Sequence, residues 1–545
     1  MEIDSIIRKY ALANAVDHEG QAQPKAVLGK VLAENPELRE RIMEIRERVE
    51  EIVADINSLS LEKQKEELKN VGYVAIKKED KKDLPALDIK KKLVLRFAPN
   101  PDGALHLGNA RPAILCDEYA KRYKGKLILR FDDTDPKVKV PEKIFYSWIK
   151  EDLNWLGIKW HQEVAASKRL PIYYKYAEKL VKMNKAYVCT CDQKKWKSIR
   201  DAGKSCPCRE IDSKTNYKKW KKMFKGYKEG EAVLRVKTDM QAKNPAVRDW
   251  AAFRIVDKPL HPLQKKKLWP LYNFASAVDD YLLEVTHIFR GQEHSTNEAK
   301  QRYLYQHFKW EYPEVVLLGR FSMSDIVLSK SVIREGIRNK QFRGWDDPKL
   351  GTLRSMRRRG IQKDAIRNII IDIGPKPNDI TLSMENLSSY NRKLIDKKAN
   401  RYFFIPNPKR ITIKNFRIKN IAIPLHPESK KGFRKMKLTK TFYIDTEDFN
   451  SYKNLEVRLK DLCNIKLDEN SEFLGREVRP LPKIQWVPEK HISVRVVMPE
   501  REQNGYGEPT LSKAKKGEII QFERFGFVRV EKVTSKKVSV VFAHN

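Results

Sequence analysis

Cysteine is scarce in this chain, with six residues among 545. Cys116 and Cys463 stand alone, while Cys189, Cys191, Cys206 and Cys208 fall within twenty residues. That pattern excludes a disulfide-stapled secreted scaffold and fits a reducing compartment with one metal site. Long apolar runs are also missing. None approaches the ~18 residues that a membrane-spanning helix requires. The first residues, Met1 to Val16, are charged early and lack the apolar core of a signal peptide. There is no internal repeat. Acidic residues are outnumbered, 72 Asp and Glu against 110 Lys and Arg, for a net charge of +38. Residues 1–90 hold 16 basic and 19 acidic residues, so the whole excess lies further on. Such a surplus favours a polyanionic partner, above all nucleic acid, over a merely lysine-rich solvated surface. What is present is enough to fold. Hydrophobic residues make up 41% and aromatics 10%, which suits packed cores, and at ~100–200 residues per domain the length predicts three to five domains.

The pattern changes several times along the chain. Ile42, Ile45, Val49, Ile52, Val53 and Ile56 recur at helical spacing, which predicts helices across residues 1–70. Lys77 to Lys92 reads as a linker. Lys92–Phe97 is a buried-strand pattern, Ala98–Gly103 a turn, Asn109–Tyr123 a helix and Lys126–Phe131 a second strand. Strand, turn, helix and strand in about forty residues make a βαβ unit and imply a parallel sheet. Residues 190–230 are basic and irregular and include Tyr217–Phe224. Strands are expected at Ala232–Lys237 and Ala252–Val256, and a second α/β stretch at 271–320. Residues 330–400 read as helical and basic, including Arg354–Arg359. Beyond 405, the segments Arg410–Ile423, Lys435–Ile444, Leu455–Leu467, Lys483–Val497 and Glu518–Ala543 alternate as strands, which predicts β barrels or sandwiches.

Chemistry concentrates in Arg96-Phe-Ala-Pro-Asn-Pro-Asp-Gly-Ala-Leu-His-Leu-Gly-Asn109. The stretch runs from a strand through a turn into a helix N-terminus, whose free N–H groups suit an anion. Gly108 lets a ribose or phosphate approach the backbone, and His106 can donate to a phosphate oxygen. Much later, Val327-Leu-Ser-Lys-Ser331 offers one ammonium, Lys330, able to stabilise charge on a departing pyrophosphate. Each element alone also reads as an ordinary loop. Cys189-x-Cys191 and Cys206-x-Cys208, 14 residues apart, suit four-thiolate zinc, with four reduced thiols in a loop as the plain alternative. Tyr217–Phe224 and Arg354–Arg359 read equally as nucleic-acid contacts or as solvated basic faces. Cys116 and Cys463 read as core residues.

Taken together, these elements resemble the class I aminoacyl-tRNA synthetases of the glutamyl/glutaminyl group, and within it the archaeal glutamyl branch. Pro99 to Asn109 is similar to the HIGH element and Leu328 to Ser331 to the KMSKS element. Arg130–Asp135, Tyr272–Ala275, Val285–Gly291, Gly344–Pro348 and Asn391–Asp396 are similar to further blocks in the same order, across nearly the whole chain. Three positions depart from the pattern. Asn109 stands where a second His is usual and cannot titrate. Val327 opens the KMSKS element, which leaves Lys330 as its only cation. Gly351 replaces a usual Pro, which reads as a looser turn.

The resemblance implies an α/β Rossmann-like class I core with an N-terminal helical region, a helical connector and C-terminal β-barrel domains. The expected divisions are an appendage and linker (1–90), the first half of the Rossmann domain (91–190), an acceptor-binding insertion (191–270) and its second half (271–325). The KMSKS loop and connector (326–400) and two anticodon-binding barrels (401–545) follow. It implies ATP with Mg²⁺, glutamate, tRNA(Glu) and possibly tRNA(Gln) as substrates, a structural Zn²⁺ on the four cysteines, and a cytoplasmic enzyme without a membrane partner. His106 and Lys330 would be catalytic. Pro99, Asn100, Gly103, His106, Gly108, Asn109, Leu328, Ser329, Lys330 and Ser331 would bind ATP. Asp132 stands at the family position for the α-ammonium of glutamate. Arg96 and Arg290, with Tyr272 alongside, stand at those for its γ-carboxylate. Glutamine-specific relatives carry a small neutral residue where Arg290 stands, so Arg290 separates glutamate from glutamine. The alternatives are a glutaminyl-tRNA synthetase and a tRNA-binding paralogue without activity. Arg290 could also be scaffolding, paired with Asp279, Asp280 or Glu293.

Overall fold

A computed structural model describes residues 2–18, 20–35, 38, 41–70, 83–428 and 431–545. The chain forms two compact units, Met1–Asp83 and Leu84–Asn545. The first holds helices α1 (Glu2–Asp17), α2 (Pro24–Glu34), α3 (Ile42–Asn57) and α4 (Leu61–Asn70). Its core contains Ile7, Leu12, Val27, Val31 and, as the spacing predicts, Ile45, Val49, Ile52, Val53 and Ile56. Ile42 is instead exposed, because it opens α3 before the helix meets its neighbours. Buried Gln64 ties the unit together by donating to the carbonyls of Gly20 and Ile56 at 3.0 and 2.8 Å. Of the expected linker, Lys77–Lys82 lie outside the described residues. From Leu84 the chain does not run free. Tyr119 donates to the Pro85 carbonyl at 2.9 Å and the Leu87 N–H donates to Tyr123 at 3.0 Å.

The second unit is built on a five-stranded parallel sheet. Its strands are β1 (Val94–Phe97), β2 (Lys126–Phe131) and β3 (Gln162–Ala165), joined through α5 (Leu107–Arg122) and α6 (Lys143–Trp155). After β3 come α7 (Leu170–Lys182) and an inserted four-stranded antiparallel sheet of β4 (Ala186–Cys189), β5 (Val233–Val236), β6 (Ala251–Ile255) and β7 (Leu268–Pro270). Helices α8 (Gln193–Asp201) and α9 (Ser213–Lys222) lie within the insertion. This inserted sheet begins at Ala186, a little before the expected boundary. The chain returns through α10 (Tyr272–Leu282), β8 (His287–Gly291), α11 (Ser295–Phe308) and β9 (Glu314–Leu318). The order is β3-β2-β1-β8-β9. Strand order therefore reverses between β1 and β8, which share a single register pair, Leu95 with His287. In parallel sheets the crevice at the strand C-termini beside such a reversal is where ligands bind. All four residues of β1 are buried, as expected of a strand covered on both faces.

The connector follows as β10 (Phe321–Met323), α12 (Lys330–Arg338), α13 (Leu353–Arg359), α14 (Lys363–Ile373), β11 (Ile380–Leu382) and α15 (Met384–Ile395). Fully buried Arg111 of α5 braces it, donating to the carbonyls of Gly319, Gly374 and Lys376 at 2.7 to 3.1 Å. Two seven-stranded sheets complete the chain, one from strands between Pro408 and Pro488, the other from strands at Asn400–Ile405 and between Ile492 and His544. Several of the expected long strands are two shorter strands, paired as a hairpin at Glu456–Leu459 and Cys463–Lys466 but lying in different sheets at Pro408–Lys414 and Asn420–Pro424. Arg410–Ile423 divides into Pro408–Lys414 and Asn420–Pro424, and Leu455–Leu467 into Glu456–Leu459 and Cys463–Lys466. Asn415 and Asp461, both at positive φ, make those turns while the apolar alternation continues through them. No helix among the described residues is long and apolar enough to cross a membrane.

Candidate active site

A cavity of about 800 Å³ opens at the C-termini of β1 and β8. It unites residues more than 200 positions apart. The wall from the first signature element includes Pro99, Asn100, His106, Gly108 and Asn109; that from the second includes Leu328, Ser329, Lys330 and Ser331. Arg96, Tyr272 and Arg290 line the same space. Gly103 and Asp132 do not line it.

His106 caps α5 in an extended conformation, and Asn109 accepts the His106 backbone N–H at 3.2 Å. Asn109 therefore holds the helix start, a task that needs no titration. Burial, reinforced by Lys330, pushes the His106 pKa down to about 4, so its ring is neutral at pH 7. Its Nδ1 has no hydrogen-bond partner among the described residues. A Cβ on Gly108 would sit 3.0 Å from that ring. On Gly103 it would sit 2.6 Å from the Trp345 ring, so Gly103 serves packing. Lys330 opens α12 and donates to Asp102 Oδ1 at 2.9 Å and to the Asn100 carbonyl at 3.1 Å. Burial lowers its pKa, with Asp102 opposing.

The two elements are stitched by Leu350–Leu353. Gly351 donates to the Val327 carbonyl at 2.8 Å, Leu107 to the Gly351 carbonyl at 3.0 Å and Leu353 to the Leu105 carbonyl at 2.8 Å. The expectation of a looser turn at Gly351 is therefore corrected. A Cβ there would lie 2.2 Å from Leu328, so the position is tightly enclosed.

The floor between β1, β2 and α10 is a charge network. Arg96 donates to Asp280 at 2.9 Å, and Arg130 to Asp132 at 2.9 Å, Asp280 at 3.3 Å and Ser276 at 2.9 Å. Asp132, expected at the α-ammonium, accepts from Arg130 through Oδ1. Burial raises its pKa to about 6 against the pull of Arg130 and then Arg96. Arg169 and Tyr173 occupy Asp279 at 2.7 and 2.6 Å. Arg290 differs from all of these. It is 5% exposed and donates once, from Nη2 to Gln301 at 2.9 Å. Its Nε and Nη1 have no hydrogen-bond partner among the described residues, and no ion pair to Asp279, Asp280 or Glu293 is formed.

Asp102, Lys139, His294 and Arg334 also line the cavity and were not anticipated. Arg334 was legible, one helical turn after Lys330. Lys139, in an exposed loop, carried no signal. The basic segments mostly serve the fold. Trp220 is fully buried and Tyr217 and Phe224 pack on the same core. Arg354 lies 4.1 Å over the Trp148 ring, Arg358 donates to Glu531 at 2.6 Å, and Arg359 to the Ala543 carbonyl at 2.7 Å. Cys116 and Cys463 are buried, and burial pushes both thiols up to about 12.

In the insertion, the Sγ atoms of Cys189, Cys191, Cys206 and Cys208 all lie within 4.8 Å of one another, with 3.9 Å for Cys189–Cys206 and for Cys191–Cys208. A tetrahedral zinc with Zn–S bonds of ~2.3 Å has sulfur edges of ~3.8 Å, so the residues fit that ion.

Residues 92–397 match the family described as tRNA synthetases class I (E and Q), catalytic domain. Residues 399–479 and 483–531 match the anti-codon binding domains of the same group. The chain belongs to the class I glutamyl/glutaminyl tRNA synthetases. It is 51% identical to the glutamate–tRNA ligase of Pyrococcus furiosus and 50% identical to that of Pyrococcus abyssi, covering all of each chain. A solved glutamate-tRNA synthetase from Elizabethkingia anophelis is a distant likeness, 19% identical with a TM-score of 0.39 over 57% of this synthetase and 72% of that chain.

Proposed function

We infer that this synthetase is a glutamate–tRNA ligase of the archaeal type. It joins glutamate to ATP as glutamyl-adenylate, releasing pyrophosphate, and then esterifies the glutamyl group to the 3′-terminal adenosine of tRNA(Glu). The observation that carries the amino-acid assignment is the buried guanidinium of Arg290. Arg290 lines the cavity that the two nucleotide elements also line, and its Nε and Nη1 are buried without a hydrogen-bond partner among the described residues. A γ-carboxylate satisfies such a group, and an amide does not supply the missing charge.

In the first step, the α-carboxylate attacks the α-phosphorus of ATP and pyrophosphate leaves. No protein nucleophile is needed, and positioning with electrostatic stabilisation does the work. Neutral His106 donates one hydrogen bond to a phosphate oxygen. Lys330 leaves Asp102 and meets the departing phosphates. Pro99, Asn100, Gly108, Asn109, Leu328, Ser329 and Ser331 form the nucleotide walls, with Gly103 shaping the turn behind them. Arg290, Arg96 and Tyr272 hold the glutamate side chain, and Asp132 draws its α-ammonium. Magnesium enters with ATP as part of the substrate. The four cysteines hold a structural zinc that stabilises the acceptor-binding insertion. The reading puts the enzyme in the cytoplasm and extends its tRNA substrates to tRNA(Gln).

The test is ATP–pyrophosphate exchange with the full chain and purified tRNA, comparing glutamate with glutamine. Glutamate is expected to support exchange. Exchange with glutamine alone would make it a glutaminyl enzyme, and none with either would mark an inactive paralogue. Acylation assays on separate tRNA(Glu) and tRNA(Gln) transcripts settle the second tRNA.

A further inference from the structure

The position of Arg290 depends on what stands behind it. Gln301 lies on α11, fully buried, and its Oε1 accepts two hydrogen bonds, from Arg290 Nη2 and from the Tyr312 hydroxyl, each at 2.9 Å. Guanidinium nitrogen can only donate, so the amide oxygen must face it, and the tyrosine adds a second donor to the same oxygen. The Gln301 Nε2 has no hydrogen-bond partner among the described residues. Burial pushes the Tyr312 hydroxyl up to about 12, so it is uncharged. The acids nearby in sequence are accounted for. Glu298 pairs with Arg302 at 2.8 Å, with the Arg302 guanidinium over the Tyr312 ring, and Glu293 is solvent-exposed on the cavity rim.

The neighbouring arginines are handled in the opposite way. Arg96 and Arg130 share Asp280 and Asp132, and Arg169 has Asp279. Each of those cations is matched by an anion. Arg290 is fixed by neutral dipoles alone. A buried cation without a counter-charge is costly to the fold. Its retention makes sense where a ligand brings the missing negative charge.

We propose that Gln301 is a positioning residue that sets amino-acid specificity: it orients Arg290 through a neutral oxygen and so leaves one uncompensated positive charge for the substrate side chain. Glutamate supplies the balancing charge and glutamine cannot. A carboxylate at position 301 would have the same shape as the amide but would neutralise Arg290 from behind, making the pocket indifferent to the difference between acid and amide. The proposal rests on the glutamate reading above.

The experiment uses the full chain with purified tRNA and measures kcat and KM in pyrophosphate exchange for both amino acids. The variants are Gln301→Glu and Gln301→Met, and a thermal melt of each accompanies the kinetics. Gln301→Glu is expected to lower the glutamate-over-glutamine ratio of kcat/KM by about tenfold or more, chiefly through the KM for glutamate. Gln301→Met loses the acceptor but leaves the cation charged, so efficiency falls while the ratio stays within about threefold of wild type. An unchanged ratio in the Glu variant overturns the proposal. So does a comparable loss of ratio in the Met variant, which would trace the effect to packing rather than charge. The Met variant keeps the test decisive if the Glu variant fails to fold. Wild-type protein that ignores glutamate would instead defeat the underlying reading, and this inference with it.

Discussion

The cavity beside β1 and β8 and the cysteine cluster of the insertion both gather distant residues, yet they present unmatched chemistry in opposite ways. At and behind the cavity floor, Arg96, Arg130 and Arg169 are paired with aspartates, and Arg290 is not. The space remains open to solvent and to ligands that come and go. In the insertion, four thiols converge with no position left over. Four sulfur ligands saturate a zinc ion, so nothing can enter and leave during turnover. One site holds a standing charge for a visitor, and the other is complete once filled. Openness of the ligand set, rather than the presence of reactive groups, separates a working site from a structural one.

Three measurements bear on that contrast. The largest effect is expected from metal removal. Structural zinc contributes apparent binding energies of about 10–16 kcal/mol in isolated peptides. Metal analysis of the purified chain should find about one zinc, and chelation should open the Cys189–Cys208 segment to proteolysis. Well-folded, protease-resistant protein that carries no zinc would remove the structural side of the comparison. Next, Arg290→Ala should reduce kcat/KM for glutamate by on the order of 2–4 kcal/mol. A loss under about threefold would mean that the guanidinium does not meet the substrate. The smallest effect is that of pH. Asp132 is raised to about 6, so it is charged above that value and neutral below it. If it draws the α-ammonium, kcat/KM for glutamate should fall by about tenfold for each unit below pH 6. His106, near 4, adds no limb in that range. A flat profile down to pH 5 would detach Asp132 from the substrate.

The βαβ unit was legible because β1 and β2 are largely apolar, each with one arginine near its end, and the segment after β1 is a turn rich in Pro and Gly. The two nucleotide elements were legible by resemblance, and their convergence follows from strand order, which no local pattern encodes. Arg290 and Arg96 were identified only through the family, since a single arginine inside an apolar strand has no periodicity of its own. Gln301 left no trace, because a buried amide on a helix looks like any polar residue until its partners are known. That Arg130, two residues before Asp132, would engage its carboxylate was not legible either, because the pairing depends on how β2 places both side chains. Pairs of short barrel strands merged into long ones because Asn415 and Asp461, at positive φ, interrupt direction without interrupting alternation.

The crosspiece at Leu350–Leu353 joins the two nucleotide elements wholly through main-chain N–H and carbonyl groups. No single side chain can therefore be deleted to uncouple them. A proline at 351 would remove the N–H that reaches Val327 and sever one rung. Alignment of the Lys330 ammonium with the His106 imidazole is thus a property of chain path, insulated from most point mutations yet vulnerable to any change in loop length.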